Sequence, residues 1–196
     1  MTSNPNNIYE SLSTYLRNSI RGNESDRILL FDVDDTIVHT SAKVGIKHKD
    51  GTVTMIDNAD YNEYVMKPGD QFDYTEFNDI NILIRDLPTP YFDTLKREYR
   101  KGTHIGIITA RGDCDMIKKF LSTKGIDIKK ELVFAVGDPK LGLSGTIQEK
   151  KSAVIDHLIK AGYKTLVFFD DNKLNLEYAK SKERKGIKII PVHVSA

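Results

Sequence analysis

The chain has 196 residues, enough for one sizeable core and a length common for a single domain, and its 29 Lys and Arg against 28 Asp and Glu leave a formal charge of +1, which excludes the global basic field of a non-specific nucleic-acid binder. A lone cysteine, Cys114, excludes an internal disulfide and any cysteine-based zinc cluster, and with no base beside it reads as a small helix residue in a reducing compartment. No apolar run approaches the roughly 18 residues a membrane span needs, and the N-terminus lacks the charged-then-apolar layout of a signal peptide, so a cytoplasmic protein with no membrane partner is expected.

Residues 1–7 are polar, and Ile8, Leu12, Tyr15, Leu16 and Ile20 then recur at helical spacing. Residues 1–26 are read as an amphipathic helix and linker. The helix either docks on the rest of the chain, leaving a monomer, or forms a dimer contact. The run Ile28-Leu29-Leu30-Phe31 reads as a buried strand, and it runs directly into Asp32, Asp34 and Asp35. Acids that repel one another at a strand end call for a cation. They are accounted for if Asp32 and Asp34 lie at the carboxyl end of a parallel strand, where open α/β sheets place their ligands, and share a hard divalent ion such as Mg²⁺.

The stretch from Val38 to Asp86 lacks the regular alternation of helix and strand that begins at Leu87. Val44 to His48 and Thr52 to Met55 flank Lys49-Asp50-Gly51 and predict a β-hairpin. Residues 57–86 are acidic and aromatic without clean helical periodicity and are read as partly irregular. Their Tyr61, Tyr64, Phe72, Tyr74 and Phe77 are read as packing rather than a base-stacking platform. Lys43, Lys47, His48 and Lys49 form a candidate phosphate-contacting edge, with a solvated hairpin face as the plainer reading.

From Leu87 onward helix and strand alternate. Pro90 opens a helix to about Lys101, and a strand follows from His104 to Ile108. A helix then starts at Asp113 and ends by Gly125. Strands from Leu132 to Val136, Thr165 to Phe169 and Ile187 to Ile190 frame a helix from Glu149 to Ala161. Repeated β-α-β predicts an α/β fold, a parallel sheet covered on both faces.

Four ordered stretches together resemble the haloacid dehalogenase superfamily of aspartyl-phosphate phosphatases and phosphotransferases: Asp32-x-Asp34-x-Thr36, Thr109-Ala110-Arg111 after the strand ending at Ile108, Lys150-Lys151 opening a helix, and Asp170-Asp171-Asn172 after Leu166-Val167-Phe168-Phe169. The likeness spans about residues 27–192. It implies a Rossmann-like three-layer sandwich, with a catalytic core of residues 27–37 and 87–196 and a hairpin-containing flap or cap, residues 38–86, inserted after the first strand.

The resemblance also implies roles. Asp32 is the nucleophile and Asp34 the acid that becomes a base; Thr109 hydrogen-bonds the transferring phosphoryl group, with Ala110 and Arg111 beside the substrate. A lysine neutralises charge, and Asp32, the Asp34 main chain, Asp170 and Asp171 hold Mg²⁺. Lys151 is favoured over Lys150 because apolar residues fall three, four and seven positions beyond it, at Val154, Ile155 and Leu158. Arg111 either touches substrate or pairs with Asp113 or Asp115. The motif spacing is also similar to the phosphatase domains of phage polynucleotide kinases and to small phage hydrolases, and no Gly-rich phosphate loop of a kinase half is present. The function expected is Mg²⁺-dependent phosphomonoester hydrolysis on a nucleotide or a nucleic-acid 3′-phosphate end. A small-metabolite phosphatase acting on sugar phosphates, or a catalytically silent binding protein that keeps the fold, stands as the alternative.

Overall fold

A computed structural model describes residues 26–195. The helix read over residues 8–20 lies outside them. In chain order the elements are β1 (Arg27–Phe31), β2 (Val38–His39), β3 (Val44–Lys47), β4 (Val53–Ile56), α1 (Asn58–Glu63), β5 (Gln71–Asp73), α2 (Ile80–Arg85), β6 (Leu87–Pro88), α3 (Pro90–Arg100), β7 (Ile105–Thr109), α4 (Cys114–Thr123), β8 (Val133–Ala135), α5 (Ile147–Ala161), β9 (Thr165–Asp170), α6 (Lys173–Lys180) and β10 (Lys188–His193).

Five strands form one sheet in the order β10-β9-β1-β7-β8, every neighbouring pair parallel. The central strand β1 alternates its apolar side chains between two cores, as a strand buried on both faces must. Leu29 and Phe31 join Phe92, Leu95, Ile117 and Phe120 of α3 and α4 on one face. Ile28 and Leu30 join Val154, Ile155, Leu158 and Leu176 of α5 and α6 on the other. The fold is therefore α/β with helices on both faces of a parallel sheet. Strand register places the acids together: Phe31 lies level with Phe169 and Ile107, so Asp32 emerges beside Asp170 at the carboxyl edge.

Residues 57–86 are partly irregular, as read, with residues 64–70 outside any helix or strand, but short elements punctuate them. The predicted hairpin forms with Val44 opposite Ile56 and Lys47 opposite Val53. A third strand, β5, pairs with the other side of β3. Two short helices, α1 and α2, begin at Asp57 and Asp79, whose carboxylates accept from backbone N–H groups of the first turn. Six residues each is too short for periodicity to register. The segment leaves and rejoins the sheet through an antiparallel stem in which Val38 pairs with Pro88 and His39 with Leu87. Helix α5 also starts earlier than its apolar stripe, at Ile147, because Thr146 and Glu149 form a reciprocal capping box, with Glu149 N donating to Thr146 Oγ1 over 3.3 Å and Thr146 N to Glu149 Oε2 over 2.7 Å. Among the described residues no helix is long and apolar enough to cross a membrane.

Candidate active site

Three strand ends and one helix face converge at the carboxyl edge of the sheet. Asp32 follows β1, Asp170 closes β9 and Asp171 comes next; carboxylate oxygens of all three lie within 4.8 Å of one another. Asp170 is fully buried and Asp32 is 6% exposed. Such a group of buried acids is stable only with positive charge beside it.

Lys151 supplies one such charge. The face of α5 that carries Val154, Ile155 and Leu158 packs on the sheet, and one turn earlier it sets the Lys151 ammonium between two of the carboxylates, 2.8 Å from Asp170 Oδ2 and 3.0 Å from Asp32 Oδ1. Lys151 is 2% exposed. Burial works against its charge, but Asp170 and Asp32 outweigh it and its pKa rises. Lys150 turns to the wall of the cavity and forms no ion pair among the described residues.

One ammonium does not balance three acids. Burial pushes the Asp32 carboxyl well above its usual range; Lys151 opposes this, and Asp170, Asp171 and Asp34 add to it. Asp171 is pushed up to about 6 by burial and by Asp170, against the pull of Lys151. Asp32 Oδ1 is buried without a hydrogen bond, its contact with Lys151 being an ion pair that misses hydrogen-bonding geometry. An all-oxygen set with an orphaned buried carboxylate oxygen and two acids held above their usual range fits a hard divalent ion.

Asp34 stands apart from that cluster. The Arg111 guanidinium grips it with two donors, Nε to Oδ2 at 3.0 Å and Nη2 to Oδ1 at 2.7 Å. The Arg111 side chain is fully buried. Its Nη1 donates to the Phe77 carbonyl oxygen, and its guanidinium lies 5.0 Å from the centre of the Phe77 ring. Of the two alternatives for Arg111, pairing with Asp113 or Asp115 is replaced by pairing with Asp34, while its place in the cavity wall leaves substrate contact open. Asp113 instead caps α4, and Asp115 pairs with Lys130 at 2.7 Å. Neither of the Arg111 contacts is reachable by reading outward along the chain, since Asp34 is 77 and Phe77 34 positions away.

Thr109 closes β7 fully buried, and its hydroxyl accepts the Arg111 N–H over 3.3 Å. Ala110, Arg111 and Gly112, rather than Thr109, form the cavity wall. Gly137, on the loop after β8, packs so closely on this loop that a Cβ there would collide with the Ala110 carbonyl oxygen. Cys114, near the loop, is not among the residues lining the cavity, and burial pushes its thiol up, away from the reactive thiolate.

Asn175 escaped the sequence reading, and Thr36 entered it only as the last residue of the first motif, without a role. Asn175, on α6, donates from Nδ2 to both Asp170 oxygens, over 2.9 and 3.1 Å, and fixes that carboxylate together with the Asn172 N–H at 2.9 Å. The Thr36 hydroxyl accepts the Asp171 N–H over 3.1 Å, tying the β1 loop to the β9 loop. The signal for Asn175 was its place beside Leu176 and Ala179 on the buried side of a short helix. Asp35 takes a left-handed backbone, φ 54°, and its carboxylate accepts from Asn58 Nδ2 at 2.7 Å, joining the β1 loop to the insertion.

Above this floor lies a cavity of about 590 Å³, roofed by Tyr61, Tyr64, Phe72, Tyr74 and Phe77 of the insertion. No family model matches the chain, and neither a curated protein nor a solved structure is found to match it.

Proposed function

We propose that the protein is a Mg²⁺-dependent phosphomonoester hydrolase of the haloacid dehalogenase type, working through an aspartyl-phosphate on Asp32. The observation that carries this reading is the buried Asp32–Lys151–Asp170 arrangement, with Asp171 beside it, at the carboxyl end of the central strands. A nucleophilic carboxylate must meet an anionic phosphate, so the site must supply positive charge and exclude water. Asp32, Asp170 and Asp171 would hold the Mg²⁺, together with the Asp34 main chain that the family resemblance adds; the ion supplies charge neutralisation when bound.

The chain's own residues do the rest. Asp32 Oδ1, free of hydrogen bonds, attacks phosphorus while the Lys151 ammonium offsets the charge that builds on the phosphoryl oxygens. Both Asp34 oxygens accept from Arg111, so one of them must leave that fork and carry a proton before Asp34 can give it to the leaving oxygen; as a carboxylate Asp34 then takes a proton from the water that opens the acyl phosphate. The Arg111 fork fixes where that carboxylate can reach. Asn175 and the Asn172 N–H hold Asp170 still, so the lysine between it and Asp32 keeps its place. The insertion roofs the site and sets what can enter it.

The test is phosphate release from a generic aryl phosphate with and without Mg²⁺, for the parent and for Asp32→Asn. Release that needs Mg²⁺, is stopped by chelator and is lost in Asp32→Asn supports the reading. Release unaffected by the substitution, or none with any divalent ion, contradicts it.

A further inference from the structure

The floor and the roof of the cavity differ in chemistry. The floor carries carboxylates, Lys151 and Arg111; the roof is a cluster of rings in mutual contact. Tyr61 meets Phe72 edge-on at 5.0 Å and Tyr74 edge-on at 5.9 Å, and the Tyr61 and Tyr74 hydroxyls are 2.9 Å apart. Rings that served only to hold the insertion together would bury their surface, yet Tyr61 and Phe72 stay half-buried and Tyr74 is 41% exposed. Asn78 and Gln148 also line the cavity, and their side-chain amides make no hydrogen bond within the described residues. The volume of about 590 Å³ suits one small ligand rather than a strand running through.

Resting on the hydrolase reading, we propose that the ring cluster of Tyr61, Phe72 and Tyr74 is a subsite for a flat heteroaromatic base, so that the substrate class is a mononucleotide. Its phosphate lies on the carboxylate floor beside the metal and its base against the roof. Asn78 and Gln148 supply unused donors and acceptors for the base edge or the ribose hydroxyls. A sugar phosphate presents hydroxyls on both faces and leaves the apolar ring surface wet. A polynucleotide end needs free cations along its backbone path. On the hairpin edge that could offer them, Lys47 is taken up by Asp73 at 2.8 Å and His48 by Asp70 and Thr54, both at 3.0 Å; among the described residues this leaves Lys43 and Lys49 without an ion pair, two separate charges rather than a track along a backbone.

The experiment compares kcat/KM, with Mg²⁺, for a nucleoside monophosphate, ribose 5-phosphate and a 3′-phosphorylated oligonucleotide, in the parent and in Tyr61→Leu and Tyr74→Leu. The expected result is a preference for the mononucleotide over ribose 5-phosphate of at least about tenfold, with that ratio falling about tenfold or more in either variant. Equal use of the two small phosphates, a preference for the oligonucleotide, or a ratio that survives both substitutions overturns the subsite. If no phosphate ester is cleaved, the hydrolase reading fails, and the subsite is then judged by calorimetric titration of the parent with the nucleoside monophosphate. Binding that weakens in the tyrosine variants upholds it, and no binding overturns it.

Discussion

Lys151 is the residue on which the charge balance of the site turns. Replacing it by Met leaves Asp32 and Asp170 buried without their shared cation, and breaking a buried ion pair in this way costs about 3–5 kcal/mol. Lys151→Met should therefore lower the urea midpoint strongly and abolish phosphate release. Lys150→Met, which breaks no ion pair among the described residues, should change the unfolding free energy by no more than about 0.5 kcal/mol and so leave the midpoint nearly unmoved. Equal effects of the two would contradict the assignment. Arg111 makes a second case. Its fork to Asp34 needs two donors in one plane, which an ammonium cannot present, so Arg111→Lys should behave like a loss and not a conservative change. Misplacing the proton-transfer carboxylate should reduce kcat by about 100-fold, and a variant with near-parent kcat would remove Arg111 from that role. Lys151 could be read from the chain because its helix carries an apolar stripe that fixes which way the ammonium points. The Arg111–Asp34 contact could not, since it depends on how two strand ends meet.

At the scale of elements, the loops after β7 and β8 are fitted to each other. Gly137 N donates to the Arg111 carbonyl oxygen over 3.2 Å, and the space a Cβ would take is filled by the Ala110 carbonyl. Gly137→Ala must push the Ala110–Arg111 segment away from β8, so it should lower activity by about tenfold or more through a displaced Arg111 while leaving the sheet intact. Far-ultraviolet circular dichroism alongside phosphate release checks this; full activity with Ala at 137 would contradict it. The strands and long helices were legible because their apolar runs and caps agree with their packing: Ile105 to Ile108 is buried throughout, and Pro90 and Gly162 mark helix ends. The insertion was only half legible. Its hairpin has a turn signal, but β5, α1 and α2 are three to six residues long, and Tyr61 and Phe72 of α1 and β5 face the cavity while α2 packs Leu83 into the core. The same is true of α6, whose eight residues place Asn175 on Asp170.

For the whole molecule, the buried acids set a pH dependence. Asp171 is raised from 3.8 to about 6, and Asp32 is raised as well. A carboxyl whose folded pKa lies above its unfolded one favours the folded state in full below the unfolded value, and that contribution is lost as pH climbs through the folded value. Without metal, the Asp171 contribution should thus be lost between about pH 4 and about pH 6 as that group ionises in place, and the Asp32 contribution should fall in the same direction as pH rises. Asp73, held at about 2 by Lys47 and Thr75, acts in the opposite sense at lower pH, losing its contribution as pH falls through about 2. Mg²⁺ that binds only the folded state at 100 times its Kd adds about 2.7 kcal/mol. That gain should be larger at pH 7, where the carboxylates are ionised, than at pH 4.5, where protons compete. Thermal unfolding with and without Mg²⁺ at the two pH values checks this, and an equal gain at both would argue against these carboxylates as the ligands.

The covalent state of Asp32 tests the proposed mechanism most directly. With a leaving group that departs without a proton, Asp34→Asn should slow the breakdown of an acyl phosphate more than its formation, so acid-quenching this variant during turnover with Mg²⁺ and an aryl phosphate, followed by peptide mass spectrometry, should find one phosphoryl group on the peptide containing Asp32 and none in the Asp32→Asn, Asp34→Asn double variant. A phosphoryl group on another residue, or steady release of phosphate with Asp32 never modified, would contradict it.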